Sequence, residues 1–196
     1  MELVWGAIWT VEQQSALSTV KDDAALMCRY RQGDEQAFEQ LYRRYRGPLY
    51  RFIVRLMLNR ADADEVFQEV WVAVVKGRER YEPTARFATL LFAIAHRRIA
   101  DHGRRAGRRR ETEIPPDVED AAAGPSVLAE NAALGEALLV AIAMLPQTQR
   151  EVFLLKAEGE LTLEEIADIT VAPYETVKSR LKYANRALRE KLGSWR

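Results

Sequence analysis

The sequence has little of what disulfide-bonded and metal-binding proteins need. It contains one cysteine, Cys28, and two histidines, His96 and His102. A single cysteine excludes an intramolecular disulfide and a cysteine cluster for zinc, and it fits a reducing compartment. The histidines lie on either side of Asp101 in a basic stretch, at a spacing that gives no one-face metal site. We therefore predict that the protein holds no metal and no cofactor.

Long hydrophobic runs, strand patterns and phosphate-binding glycine loops are also missing. No apolar run approaches the roughly 18 to 20 residues of a membrane span. The N-terminus, MELVWGAIWTVEQQ, lacks the basic start of a secretion signal. We therefore expect a cytoplasmic protein. Because no serine or cysteine nucleophile has a plausible neighbouring base, we also expect no enzymatic activity and no small-molecule substrate.

The charges balance in sum but are segregated along the chain. The 196 residues include 29 basic and 29 acidic side chains, and 48% are hydrophobic, which is enough for one or two folded domains. Residues 97–110 hold seven arginines against the single acid Asp101, whereas residues 111–120 hold five acids and no base. Such local charge, and not the net charge of zero, determines which partners each segment attracts.

Residues 161–192 have the pattern of a helix-turn-helix. Thr162 and Glu165 are spaced as a capping box, which starts the first helix. Pro173 suits the first turn of a second helix, which we expect to run to about residue 192. The apolar positions that we expect to pack inward are Ile166, Ala167, Ile169, Val177, Leu181, Ala184 and Leu188.

The outer face of the second helix is basic. From residue 178 to the end of the chain, Glu190 is the single acid among Lys178, Arg180, Lys182, Arg186, Arg189, Lys191 and Arg196. This distribution suits contact with phosphates and base edges. A solvated amphipathic helix is the simpler alternative. Three features in front of this helix favour DNA binding: the capping box, the turn, and the small residue Ala167, which lets the two helices cross closely as the motif requires.

The segments LTLEEIAD and VAPYETVKSRLKYANRALREKL closely resemble domain four of the extracytoplasmic-function (ECF) sigma factors of bacterial RNA polymerase. Residues 145–155 are similar to the helix that precedes this motif in the family. The resemblance implies that the second helix reads the minus-thirty-five promoter element. The implied contacts are Lys156, Thr176, Lys178, Ser179, Arg180, Lys182, Tyr183 and Arg186. Val171 stands where the family usually has glycine. Because a β-branched residue tolerates positive φ poorly, the turn must adopt a different backbone conformation or carry strain.

The N-terminal half predicts a second helical domain. Apolar residues recur at helical spacing between positions 38 and 56, and we expect Gly47-Pro48 to bend or break the run. A further helix over about 62–76 carries an acidic outer face. Exposed carboxylates are usually only solvated, but this segment resembles the family's docking helix for the clamp of the polymerase β′ subunit. The implied contacts are Asp64, Glu65, Gln68, Glu69 and Trp71.

A loop at residues 82–86 precedes an arginine-rich helix. The segment resembles the family's element that melts and reads the minus-ten region, in which a loop captures an unstacked base and a helix follows the single strand. The implied contacts are Glu82, Pro83, Thr84, Ala85 and Arg86 in the loop, and Arg97, Arg98, Arg104 and Arg105 on the helix. Leu90 replaces a common tryptophan and Arg97 a common asparagine, so specific contacts are expected to differ. An arginine-rich helix end that binds any polyanion is the alternative.

We therefore predict an all-α chain of two small helical domains. Sigma domain two covers residues 21–105, and sigma domain four, with the helix-turn-helix, covers 127–196. Residues 106–126 pass from arginine-rich to acidic to Ala-Ala-Ala-Gly-Pro-Ser, a composition typical of a flexible linker. Residues 1–20 are expected to be a weakly ordered extension, with an extra contact helix or a misassigned start as alternatives.

The distance between promoter elements sets a condition on the two domains. Elements about 17 base pairs apart lie roughly 58 Å from each other. Contact with both elements at once needs an extended linker held by the polymerase. We therefore expect the free chain to be either flexible or compactly closed.

The predicted function is that of a sigma factor. It would bind core RNA polymerase through the β′ clamp and β flap, direct initiation at specific promoters in response to stress or another signal, and be held inactive by an anti-sigma factor. One alternative is a helix-turn-helix repressor or activator, which leaves the acidic helix and the melting segment unexplained. Another is a protein-interaction module such as an anti-sigma factor, which leaves both basic helices unexplained.

Overall fold

The computed structural model describes residues 22–83, 85–110 and 129–193, and every regular element in these ranges is helical. The first helix, α1, covers residues 22–31. The others are α2 (Glu35–Met57), α3 (Arg60–Gly77), a 3-10 turn (Arg78–Arg80), α4 (Phe87–Arg110), α5 (Ala129–Ala143), α6 (Gln147–Gly159), α7 (Leu163–Thr170) and α8 (Tyr174–Gly193). The prediction of an all-α fold is confirmed.

Helix α2 is one continuous helix of 23 residues. Its N-terminus is capped by Asp34, whose carboxylate accepts hydrogen bonds from the amides of Gln36 and Ala37 at 3.0 and 3.2 Å. Of the bend or break that we expected at Gly47-Pro48, the break is wrong, since α2 continues through Pro48 to Met57. A proline inside a helix costs about 3 kcal/mol. Burial of the apolar residues on either side offsets that cost.

The core of domain two lies between α2, α3 and α4. Its fully buried members include Leu41, Leu49, Phe52, Ile53, Val66, Val70, Leu91 and Phe92. Helix α1 closes the domain through Met27, and its buried Asp23 accepts hydrogen bonds from Arg44 and Tyr45 of α2. The rigid packing of α3 against α4 holds the acidic helix and the arginine-rich helix in a fixed relation.

The helix-turn-helix forms as predicted. The Thr162 hydroxyl accepts from the Glu165 amide at 3.2 Å, and the Glu165 carboxylate accepts from the Thr162 amide at 2.8 Å, which completes the capping box. Helix α8 begins at Tyr174, directly after Pro173. Of the seven apolar positions expected to pack inward, five are buried and two are partly buried, the latter being Ala167 and Leu181.

The first residues of the predicted linker are helical. Helix α4 continues to Arg110, so residues 106–110 are helical and not part of a loop. Arginine is a good helix former, and the arginine-rich composition that we interpreted as the start of a linker extends the helix instead. The rest of the predicted linker and the N-terminal extension lie outside the described residues.

The two domains are packed against each other. Helix α6 lies along α2, and both α6 and α7 contact α4. Phe92 of α4 is fully buried, and a Cβ atom added to Gly159 at the end of α6 would lie 3.3 Å from its ring. Of the two states that we expected for the free chain, the structure shows the compactly closed one.

The turn between α7 and α8 is strained at Val171. This residue has φ 51° and ψ 45°, the left-handed conformation, and is 91% exposed. A β-branched residue is rarely found in that conformation, because its Cβ crowds the backbone. Val171 therefore stores strain that a glycine would avoid, with no compensating burial.

We predict that Val171→Gly stabilises the protein. Removal of the strained Cβ should raise the free energy of unfolding by about 1 kcal/mol in urea denaturation. Val72→Gly is the matched control, since Val72 is also an exposed valine but lies inside α3, where glycine should lower that free energy by about 0.5–1 kcal/mol. A lower unfolding free energy for Val171→Gly would contradict the assignment of strain.

Candidate nucleic-acid and polymerase interfaces

Helix α8 presents a polar and basic stripe to solvent. Lys178, Lys182 and Arg186 follow one another at intervals of four residues, which places them on one side of the helix, and Ser179 and Tyr183 lie beside them. All five are exposed. Exposed cationic and hydroxyl side chains are of the types that bind phosphates and base edges.

The charges of this stripe are loosely paired. Lys178 Nζ lies 3.5 Å from Glu175 Oε1 and 5.9 Å from the centre of the Tyr174 ring. Arg186 Nε donates to Glu190 Oε1 at 2.8 Å, and this hydrogen bond raises the pKa of the Arg186 guanidinium. Exposed pairs of this kind contribute little to stability. Both cations can exchange these partners for phosphates at small cost.

Three other predicted minus-thirty-five residues are less accessible. Thr176 and Arg180 are partly buried on α8. Lys156 lies on α6, where its Nζ donates to the Leu161 carbonyl at 2.9 Å. This bond connects the end of α6 to the loop before α7. Lys156 therefore has a structural contact at the base of the motif, outside the α8 stripe.

Helix α3 carries the predicted acidic face. Asp64, Glu65 and Gln68 are exposed, and the Tyr50 hydroxyl donates to Asp64 Oδ1 at 2.8 Å. That bond raises the pKa of Tyr50 and positions the Asp64 carboxylate on the surface. The face is well suited to a basic partner.

Glu69 is placed differently from the rest of the acidic face. It lies 3.5 Å from Arg105 Nη1 and 3.9 Å from Arg98 Nη1, both on α4. Nearby, His102 Nε2 lies 3.7 Å from Asp62 Oδ1. The predicted docking face and the predicted minus-ten arginines therefore meet along the seam between α3 and α4. Sequence reasoning missed this contact, although opposite charges on successive helices were a signal for it.

Trp71 belongs to the core of domain two. It is 7% exposed, and its ring centre lies 4.8 Å from that of Tyr42 and 5.8 Å from that of Phe38. We expected a polymerase contact at this position. A side chain so buried offers little surface to a partner, and its packing instead supports the helix that displays Asp64 and Glu65.

The loop before α4 is mostly open to solvent. Glu82, Pro83 and Ala85 are exposed, whereas Thr84 lies outside the described residues. Arg86, in contrast, makes two contacts with domain four. Its Nη1 donates to the Glu160 carbonyl at 3.2 Å and lies 3.3 Å from Glu165 Oε2.

The predicted minus-ten arginines of α4 form two adjacent rows. Arg97 and Arg104 are seven residues apart, as are Arg98 and Arg105, so each pair shares a side of the helix. Arg97, Arg104 and Arg105 are exposed, and Arg98 is partly buried. Leu90, at 37% exposure, also reaches the surface.

Two further properties of the described ranges bear on function. Across them, no three side chains of the His, Cys, Asp or Glu type come together as ligands of a metal would. No helix in residues 22–83, 85–110 and 129–193 has the combination of length and apolar character that spanning a bilayer requires.

Comparison with known families matches both domains. Residues 41–109 match Sigma-70 region 2, and residues 135–188 match Sigma-70, region 4. The chain is 35% identical over 162 residues to the ECF RNA polymerase sigma factor RpoE of Cereibacter sphaeroides, covering 80% of this chain and 87% of that protein. It is 32% identical over 170 residues to the RNA polymerase sigma factor CarQ of Myxococcus xanthus, covering 85% and 95%.

Solved structures share the fold. The sigma factor RpoE from Bartonella quintana, in complex with the anti-sigma factor NepR, has a TM-score of 0.69 at 23% identity, over 81% of this chain and 98% of that one. CnrH, in complex with the cytosolic domain of CnrY, has a TM-score of 0.63 at 22% identity, over 88% and 98%. These likenesses support the arrangement of helices described above.

We predict that Trp71 supports polymerase binding indirectly, by stabilising the fold of domain two. Trp71→Ala should lower the free energy of unfolding by about 3–5 kcal/mol, because it opens a cavity beneath the docking face. The control is Gln68→Ala on the same helix, where an exposed side chain is lost and the change should stay within about 0.5 kcal/mol. Unchanged stability together with lost affinity for core polymerase would make Trp71 a direct contact instead.

Proposed function

This chain belongs to the ECF sigma factors of bacterial RNA polymerase, and from that premise we propose how its surfaces divide the work of initiation. As a sigma factor, it binds core RNA polymerase and directs transcription from specific promoters. The match of residues 41–109 to sigma region two carries this conclusion. The matched region lies mainly in the N-terminal half of the chain, where a helix-turn-helix repressor would need a sensor or dimerisation domain.

Domain two is proposed to dock on the polymerase through the exposed part of α3. Asp64, Glu65 and Gln68 form the contact with the β′ clamp, because they are the members of the acidic face that reach solvent. Glu69 contributes indirectly, since it holds Arg98 and Arg105 of α4 against α3. The contact is electrostatic in character and should weaken at high ionic strength.

The loop before α4 and the arginines of α4 are proposed to act on the minus-ten element. The exposed residues Glu82, Pro83 and Ala85 are proposed to form the rim of a site that captures an unstacked base, with Arg86 at the end of the loop. Thr84 belongs to the same proposed site by its position in the sequence. Arg97 and Arg104 continue along the path of the single strand on one side of α4. Basic contacts and base capture together offset the few kcal/mol that unstacking costs.

Domain four is proposed to read the minus-thirty-five element through α8. The exposed stripe of Lys178, Ser179, Lys182 and Tyr183 faces the bases, and Arg186 lies nearer to phosphate. Lys156, Thr176 and Arg180 are proposed as further DNA contacts, with Lys156 and Arg180 nearer to phosphate; Thr176 and Arg180 are partly buried on α8. The support for this assignment is that the stripe is accessible along the length of the helix.

Further partners follow from the same premise. Helix α5 and the turn that follows it expose four large apolar side chains, and we propose that this segment contacts the polymerase β flap; the four are Leu138, Leu139, Val140 and Met144. An anti-sigma factor is also proposed, as in the complex of the Bartonella sigma factor with NepR. We place the protein in the cytoplasm, where it acts by binding and not by catalysis.

Charge reversal tests the docking face. Asp64→Lys with Glu65→Lys should weaken binding to core polymerase at least about tenfold, because two attractive contacts become repulsive. Circular dichroism should show an unchanged helical fold. Glu35→Lys with Glu39→Lys makes the same charge change at exposed positions of α2 and should leave binding within twofold of wild type. Equal affinity for the two double variants would remove the docking assignment.

Loss of one cation tests the minus-thirty-five assignment. Lys178→Ala should weaken holoenzyme binding to a cognate promoter by ~1–3 kcal/mol and leave affinity for core polymerase unchanged. The readouts are promoter binding by mobility shift and core binding by fluorescence anisotropy. Arg43→Ala removes an exposed cation from α2 and serves as the control. Equal losses of promoter and core binding for Lys178→Ala would contradict its role.

A further inference from the structure

Helix α1 makes contacts at both ends of the loop before α4, residues 82–86, which we call the minus-ten loop. At the start of the loop, Arg31 Nη1 of α1 donates to the Tyr81 carbonyl at 3.0 Å. The guanidinium of Arg78, in the 3-10 turn, lies 5.6 Å from the centre of the Tyr30 ring. The last two residues of α1 therefore contact both the 3-10 turn and the residue from which the loop departs.

The side chain of Tyr81 is also packed beneath α1. It is 5% exposed, and burial raises the pKa of its hydroxyl, with further contributions from Cys28 and Asp23 of α1. Both of these groups therefore lie within electrostatic reach of the phenol. Within the described ranges the hydroxyl has no hydrogen-bond partner. The position of Tyr81 thus depends on the packing of its ring and on the hydrogen bond from Arg31 to its carbonyl.

At the far end of the loop, α1 acts through α2. Phe87 is the first residue of α4 and is buried, and its ring centre lies 5.3 Å from that of Tyr45. The Tyr45 hydroxyl donates to the carboxylate of Asp23, near the start of α1. A series of contacts therefore connects α1 with the residue that directly follows the loop.

The Asp23 carboxylate is a fixed point for this series of contacts. It is buried, and it accepts a further hydrogen bond from Arg44. Burial raises the pKa of this carboxyl, and the opposing influences include the charge of Arg86, the last residue of the loop. A buried carboxylate with such partners is costly to displace, because a lost partner leaves an uncompensated charge.

The two contact points are well separated along α1. Asp23 and Arg31 are eight residues apart, which corresponds to about 12 Å along the helix axis. The turn after α1 is also fixed, since Arg29 Nε donates to Asp34 Oδ2 at 2.9 Å and Asp34 caps α2. Helix α1 is thus a rigid support for both ends of the minus-ten loop.

We propose that α1 positions the minus-ten loop for base capture, with Arg31 holding its start and Asp23, through Tyr45, holding its end. This inference rests on the proposed function of the loop. Arg31 and Asp23 are positioning residues, because they act on protein groups and not on DNA. A site for one unstacked base must be held within a fraction of an ångström by the residues that support it. Displacement of the loop therefore abolishes capture while the fold of domain two persists.

The test measures the base selectivity of the holoenzyme. Core polymerase with the full chain is titrated with the single-stranded minus-ten oligonucleotide of a promoter that the chain uses, and with copies that carry one abasic site at each position in turn. The parent should bind the intact strand about tenfold more tightly than the copy that lacks the captured base, since stacking of one base contributes binding of that size.

Two variants disturb the two ends of the loop. Arg31→Ala should bind the intact strand about tenfold more weakly than the parent and the abasic strand equally well, so that selectivity is lost. Tyr45→Phe removes the hydrogen bond to Asp23 but keeps the ring against Phe87, and should reduce selectivity about threefold. Affinity for core polymerase should stay within about twofold of the parent for both variants.

A control variant and a second readout separate positioning from general effects. Arg43→Ala removes an exposed cation of α2 that pairs with Glu39 of the same helix, and should keep the selectivity of the parent. Hydrogen exchange of the free chain needs no DNA. The amides of residues 81–86 should exchange at least about threefold faster in Arg31→Ala than in the parent, whereas Arg43→Ala should leave them unchanged.

Three results would overturn the inference. Equal losses of affinity for the intact and abasic strands would make Arg31 a direct contact with the DNA backbone. Unchanged selectivity in both Arg31→Ala and Tyr45→Phe would remove the role of α1. A parent without selectivity at any position would instead overturn the base-capture function itself, and the inference with it, so the two failures are distinguishable.

Discussion

Helix α2 is the element on which the rest of the structure depends. Its apolar side chains at Leu41, Leu49, Phe52 and Ile53 are fully buried between α3 and α4 on one side and α6 on the other. Each contributes about 1.5–3 kcal/mol of burial free energy. This is why Pro48 is tolerated within the helix, and why a docking helix, a minus-ten helix and the first helices of domain four come to share one core.

The shared core creates an asymmetry between the two DNA-reading units. The stripe on α8 is exposed, whereas Arg86 of the minus-ten loop is held by Glu165 and the Glu160 carbonyl. In the same way, Glu69 on the docking helix forms ion pairs with Arg98 and Arg105 of α4. Among the described residues, acids and bases thus pair both between helices of one domain and between the two domains.

Local signals were sufficient for the helix-turn-helix. Thr162, Glu165 and Pro173 influence only the few residues next to them in sequence, so the capping box, the turn and the start of α8 were all predictable. The strain at Val171 was predictable because valine stands where the family usually has glycine. What failed depended on tertiary packing. The continuity of α2 through Pro48 and the pairing of Glu69 with α4 are set by partners distant in sequence. The burial of Trp71 was itself predictable, because this residue lies one helical turn after Phe67, on the inward side of α3.

Transcription from a library of genomic fragments, by core RNA polymerase with and without this chain and with transcript starts sequenced, tests the account most directly. The account predicts new starts that appear with the chain and share two spaced upstream motifs, one for α8 and one for the loop before α4. No new starts, together with retained binding to duplex DNA and no binding to core polymerase, would contradict it and favour a repressor or activator.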